Sequence, residues 1–99
     1  MRLAFTQTAE RDLEAIGDRI ALDNPTRAVT FIRELRKDCT LLTSMPQRHP
    51  LLSGYGASGI RRRVCGSYPI FYRVQDDTVQ ILHILHGAMD YEAILFPES

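Results

Sequence analysis

The tripeptide Asp23-Asn24-Pro25 constrains the fold more than any other feature, because it both ends one helical pattern and starts another. Before it, Ala9, Leu13, Ile16 and Ile20 recur at spacings of 4, 3 and 4 and share one helical face. Asp12, Glu14, Asp18 and Arg19 fall largely on the other side. After it, Ala28, Ile32, Leu35, Cys39 and Leu42 step by 4, 3, 4 and 3, with Phe31 and Leu41 widening the stripe. Asn24 suits an N-cap and Pro25 a first helical turn, and Met45-Pro46 closes the second helix. Two helices joined by so short a turn must pack antiparallel as a hairpin. Its apolar face then needs a second layer.

The rest of the chain supplies that layer. Arg2 to Phe5 reads as a short strand, followed by polar Thr6-Gln7-Thr8 able to cap the first helix. Residues 46–59 hold Pro46, Pro50, Gly54, Gly56 and Gly59, a loop by composition. Beyond it the period shortens toward two, and Ile60 to Cys65, Tyr68 to Val74 and Thr78 to His86 read as strands. Gly66-Ser67 and Asp76-Asp77 are short enough for two hairpins. In the last strand Val79, Ile81, His83 and Leu85 alternate with Gln80, Leu82, Ile84 and His86. Both sets carry apolar residues, which suits a central strand covered by helices on one side. Met89 to Phe96 is expected to form a terminal helical turn that packs Ile94 and Leu95. The order β-α-α-β-β-β implies an α+β fold: an N-terminal strand and an antiparallel helical hairpin on a small, mainly antiparallel sheet. Ninety-nine residues suit one domain spanning 1–99.

The formal net charge is zero, with 12 Lys plus Arg against 12 Asp plus Glu, but the sum hides an uneven arrangement. Residues 44–73 hold five arginines and no acid, and residues 74–99 hold five acids and no Lys or Arg. Arginine suits bidentate contacts to carboxylate or phosphate. Apolar runs are too short for a transmembrane span or a secretory signal, and two cysteines, Cys39 and Cys65, make no disulfide framework. A reduced, cytoplasmic protein with no membrane contact is the expectation.

Arg61-Arg62-Arg63 on a strand send Arg61 and Arg63 to one face and Arg62 to the other. Helices cover only one face, so at least one of these sets should be exposed, either as a solvated charge run or as a site for phosphate or an acidic partner. His83 and His86, three apart on one strand, point to opposite faces and cannot share a metal; His49 lies in a distant loop. No metal or cofactor site is expected. His86 beside Gly87 sits at a strand end, where a histidine can act as general acid or base or simply bond the turning backbone. The serines show no nucleophile elbow, and no glycine-rich phosphate loop opens a helix. Cys39 and Cys65 read as structural, and Tyr68, Tyr72 and Tyr91 more as packing than as stacking platforms for bases.

Four fragments in order carry a resemblance: Ala9…Asp12-Leu13…Ile16; Asn24-Pro25…Ala28…Phe31; Tyr68-Pro69-Ile70-Phe71-Tyr72-Arg73-Val74; and Ile84-Leu85-His86-Gly87-Ala88-Met89-Asp90. Together they resemble a ParE-type toxin of the RelE/ParE toxin–antitoxin superfamily, over about Leu3 to Leu95. The resemblance implies a helical hairpin on a small antiparallel sheet, and it offers two activities. ParE-like members poison DNA gyrase, whereas RelE-like members cleave mRNA on the ribosome. RelE-like sites usually carry an arginine directly after the tyrosine that begins the third strand and another just past the last strand. Pro69 and Met89 stand there in this chain, so the guanidinium groups that would stabilise charge on the scissile phosphate are missing. Met89 also replaces the arginine of the ParE-like pattern His-Gly-Ala-Arg-Asp.

The expected function is therefore a non-enzymatic toxin that binds gyrase, neutralised by a ParD-like antitoxin in a hetero-oligomer, with no sequence-specific DNA binding of its own. Neutral charge favours a protein partner over ribosomal RNA. Target-binding candidates are Arg61, Arg62, Arg63, Tyr68, Arg73, His86 and Asp90. Antitoxin-binding candidates are Leu13, Ile16, Ile20, Phe31 and Leu35 on the hairpin. The alternative is a RelE-like nuclease using Arg61, Arg63, Arg73 and His86.

Overall fold

In a computed structural model, described for residues 1–64, 66–87 and 89–97, the chain runs β1 (Arg2–Phe5), α1 (Gln7–Ala21), α2 (Pro25–Leu41), β2 (Arg61–Arg63), β3 (Ile70–Gln75), β4 (Thr78–Ile84) and α3 (Tyr91–Leu95). This is the α+β order expected. Asn24 caps α2 by accepting a hydrogen bond from the Arg27 N–H at 3.0 Å, with Pro25 at the start of the helix. The sheet order is β1-β4-β3-β2, with β1 parallel to β4 and the remaining pairs antiparallel. β4 is central, as its apolar character on both faces implied.

One face of the sheet carries the hairpin. Ala9, Leu13 and Ile16 of α1 and Leu35, Cys39 and Leu42 from α2 and its C-terminal end meet Ile70, Tyr72, Val79, Ile81 and Ile84 from the sheet. The other face is covered by Leu52 and Ile60 from the long loop and by α3, around Phe71 and Leu85. Ile94 and Leu95 pack there, as expected of the terminal turn. Leu41 departs from the reading: it ends α2 pointing to solvent at 58% exposure instead of widening the apolar stripe.

The strands are shorter than their periodicity suggests. β2 is three residues long, and Cys65, expected to end it, lies outside the described residues. β3 starts at Ile70 instead of Tyr68, because Pro69 has no N–H to give the ladder. Its carbonyl does accept the Leu85 N–H at 3.1 Å, and the Ser67 carbonyl accepts the Gly87 N–H at 2.7 Å. Pairing thus runs on past the formal end of β4 at Ile84. A Cβ on Gly87 would sit 3.4 Å from that Ser67 oxygen, at van der Waals contact. The Asp76-Asp77 connection is a two-residue hairpin with both residues at positive φ, 50° and 62°, as a type I′ turn requires. The loop at 46–59 contains two single 3₁₀ turns, Pro46–Arg48 and Gly56–Ser58.

A bulge corrects the simple alternation expected for β4. Phe71 pairs with His83 and Tyr72 with Ile81, which leaves Leu82 as the extra residue. Val79, Ile81 and Ile84 therefore reach the hairpin side, while Leu82 and Leu85 pack on the other. α1 satisfies the backbone that the bulge frees. The Thr6 hydroxyl donates to the Leu82 carbonyl at 3.0 Å while accepting from the Ala9 N–H, and Asp12 Oδ2 accepts the Ile84 N–H at 3.0 Å.

Candidate functional site

Three places collect the residues singled out from the sequence. The first is the outer surface of the hairpin, where an open groove of about 830 Å³ runs between α1 and α2. Gly17 lies on its wall against Ile32, where a Cβ would sit at van der Waals distance, 3.4 Å from Ile32 Cγ1. Ala21, Ala28, Val29 and Ile32 line it, and Val29 is 54% exposed. Charged side chains rim the groove. Arg36 grips Glu10 with two hydrogen bonds of 2.8 and 3.2 Å, and that contact holds the Glu10 carboxyl below its usual range. Of the five hairpin residues expected to meet an antitoxin, Leu13, Ile16 and Leu35 are buried against the sheet. Their side chains belong to the core beneath the hairpin, with Leu13 also reaching the groove floor; Ile20 and Phe31 are partly buried against the same core. Helical periodicity finds the apolar stripe, but the stripe faces the sheet. Val29 and Gly17 sit off it and were missed.

The second place is the end of β4. Tyr68 stands between Phe31 of α2 and His86, with ring centroids 5.4 and 5.6 Å away in edge-to-face contacts. Arg27 lies over the outer face of Phe31 at 5.1 Å. His86, Tyr68 and Met89 share a small cleft of about 120 Å³ with Asp12 and Arg19 of α1. His83 Nδ1 donates to Asp12 Oδ2 at 3.0 Å, so Asp12 ties α1 to the bulged strand through both a side chain and a backbone N–H. The periodicity placed Asp12 on the polar side of α1, and its partner 71 residues away has no local signal. Asp90 is exposed and caps α3, accepting from the Ala93 N–H at 3.3 Å.

The third place is the arginine strand. Arg61 and Arg63 do share a face, and it is the helix-side one. Arg61 donates to the carbonyls of His49 at 2.7 Å and Gln47 at 3.4 Å, and Arg63 pairs with Asp38 of α2 at 3.6 Å. Arg62 turns the other way and lays its guanidinium over Tyr91 at 5.1 Å. All three are half-buried, so the expected exposed arginine run is instead spent on internal contacts. The strand edge is also covered: Leu51 bridges to Arg61, and the Arg62 N–H donates to the Pro50 carbonyl.

Arg73 Nε donates to the Gln80 side chain at 3.1 Å. Arg61, Arg63, Arg73 and His86, the four side chains of the nuclease alternative, thus each meet a different set of neighbours. Tyr72 is fully buried, donates to the Pro46 carbonyl at 2.5 Å, and has its phenol pKa pushed up by burial. Cys39 is fully buried, and burial pushes its thiol to about 12, which makes it inert in the native state. Among the described residues no three His, Cys, Asp or Glu side chains group as metal ligands, and no helix is long and apolar enough to cross a membrane.

A helical hairpin on a four-stranded sheet, with many of its polar side chains holding loops and helix ends, defines a small α+β module with an open groove between its helices. The comparisons with known proteins give that module a family. The model of the ParE toxin of type II toxin–antitoxin systems matches residues 3–91, and the chain belongs to this family. It is a type II toxin by that membership.

Solved structures agree on the fold. The chromosomal ParDE system of Pseudomonas aeruginosa is 22% identical over 87% of this chain and 95% of that one, with a TM-score of 0.76. The RelBE2 toxin–antitoxin complex of Mycobacterium tuberculosis is 28% identical over 86% of this chain and 95% of that one, with a TM-score of 0.62. The RelB–RelE complex of Methanococcus jannaschii is 20% identical over 97% and 99%, with a TM-score of 0.54. No curated protein matches the chain.

Proposed function

We propose that this toxin acts by binding DNA gyrase, without chemistry of its own, and that a ParD-like antitoxin neutralises it in the cytoplasm. One observation carries the choice of activity. At the two places where a RelE-like nuclease would hold arginines, this chain has Pro69, whose carbonyl is used in the sheet, and Met89, 47% exposed beside His86 and Tyr68. A cleavage site needs positive charge fixed around the scissile phosphate, and neither side chain provides it. The neutral overall charge supports the same reading, since RNA binding rests on a strongly basic surface. Tyr68, His86 and Asp90 at the β4 end are the residues we assign to the gyrase contact, with Arg62 over Tyr91 and Arg73 against Gln80 on the other sheet face as further candidates; Arg61 and Arg63 are occupied on the helix side.

The antitoxin contact falls on the hairpin groove. An amphipathic helix laid there would place apolar side chains against Val29, Ile32 and Ala28 and its charges against the rim. Expression without antitoxin tests the reading. Filamentation with DNA damage is the expected outcome. Translation arrest with cleaved mRNA would assign the nuclease activity instead, and undisturbed growth would mark a toxin inactivated by Met89. Co-expression with a ParD-like antitoxin should restore growth, and Val29→Glu in the groove should weaken that rescue.

A further inference from the structure

A second cleft, of about 430 Å³, opens between the end of α2 and the long loop, bounded by Leu41, Leu42, Met45, Arg48, His49 and Arg63. Its loop wall is fixed from behind. Tyr72 holds the Pro46 carbonyl at 2.5 Å, Arg61 holds the Gln47 and His49 carbonyls, and the His49 ring sits edge-to-face on Tyr72 at 6.3 Å. With the carbonyls on both sides of Arg48 pinned, its backbone is held at the wall of the cleft that Arg63 also lines.

Charge in the cleft is unbalanced. Arg63 has Asp38 at 3.6 Å, and among the described residues Arg48 has no carboxylate partner. Residues 44–73 contain no acid at all. Burial first, and then the charges of Arg63 and Arg48, lower the pKa of His49. Next to this charge, Leu41 and Met45 are 58% and 63% exposed. Such an arrangement matches an oxyanion flanked by an apolar group. Arginine and methionine are both enriched where proteins meet. Nucleic acid would favour an aromatic platform for its bases, and the exposed flank here is aliphatic.

We propose that this cleft docks a segment of a partner protein in which an acidic residue adjoins a large apolar one. The carboxylate lies between Arg48 and Arg63, and the apolar side chain rests on Leu41 and Met45. The proposal goes beyond the gyrase reading and does not rest on it, because the chemistry is set by the cleft alone.

A labelled hexapeptide of alternating Asp and Leu tests it against the full chain, with an Asn-for-Asp peptide and a single-stranded hexanucleotide as comparisons. The Asp–Leu peptide should shift the methyl signals of Leu41 and Met45 saturably and raise the titration midpoint of His49, because a bound carboxylate offsets the two arginine charges. Arg48→Gln should weaken binding about tenfold, the size of one charge-assisted hydrogen bond. Met45→Ser should weaken it less, and Arg33→Gln on the hairpin should leave it unchanged. Equal binding of the Asn peptide, unchanged affinity in Arg48→Gln, or shifts produced by the oligonucleotide alone would each overturn the proposal.

Discussion

The two faces of the sheet are covered by different means. On the hairpin side, two long helices present a periodic stripe, and among the described residues eleven form a buried cluster. On the other side the buried cluster among the described residues is Leu52, Ile60, Phe71 and Leu85, and the cover is a loop and the five-residue α3. Aromatic contacts do much of the work there: Tyr55 stacks on Phe96 at 4.0 Å, Tyr91 tilts against Phe71 at 5.2 Å, and Arg62 lies over Tyr91. The difference teaches that regular elements close one core, while side-chain shape and cation–π contact close the other. The hairpin side should therefore carry most of the stability.

The largest expected effect tests that asymmetry directly. Ile81→Ala empties a fully buried site under the hairpin and should cost about 2–5 kcal/mol in urea unfolding. Ile94→Ala on the other face, where the side chain is only partly buried, should cost about 1 kcal/mol. Equal losses would break the comparison.

Next in size is the join between α1 and β4. Asp12→Ala leaves the Ile84 N–H and the His83 ring without their shared acceptor, which should cost about 1–3 kcal/mol. Faster hydrogen exchange at the Ile84 amide, with β2 amides unchanged, would place the loss at the bulge.

A smaller effect concerns pH. Burial first, then the charges of Arg63 and Arg48, hold His49 below its ordinary value of 6.5. The unfolded chain then binds this proton more readily than the native one. The contribution to stability is present above about pH 6.5 and is lost as pH falls through the lowered native value. His49→Gln should flatten that part of the stability curve.

The smallest effect is at the groove rim. Glu10→Gln removes half of a bidentate pair whose partners are both about half exposed, and should cost about 0.2–1 kcal/mol, less in high salt. Glu10 is held low chiefly by its hydrogen bond from Arg36, so this contribution is present above about pH 4.5 and is lost as pH falls below it.

The same asymmetry decided what the residues disclosed in advance. The helix starts at Thr6 and Asn24, the central place of β4 and the Asp76-Asp77 turn follow from capping, two-sided apolarity and turn chemistry, all local properties. Three things depended on contacts distant in sequence. The bulge at Leu82 rests on Thr6 and Asp12, and it re-phases Ile84 toward the hairpin. The fate of Arg61, Arg62 and Arg63 was set by loop carbonyls, Asp38 and Tyr91, none of which has a fixed spacing to the arginines. Leu13, Ile16 and Leu35 could be placed on a stripe, but a stripe does not say whether it meets the sheet or a partner. Sequence resemblance carried the family; the open groove beside Val29 needed the helices in place.

The central claim is that the toxin acts by binding gyrase and not by cutting RNA. Purified toxin added to gyrase and relaxed plasmid tests it most directly. The account predicts a dose-dependent loss of supercoiling, relieved by a ParD-like antitoxin. Full supercoiling at every toxin ratio, together with cleavage of mRNA on translating ribosomes by the same preparation, would contradict it.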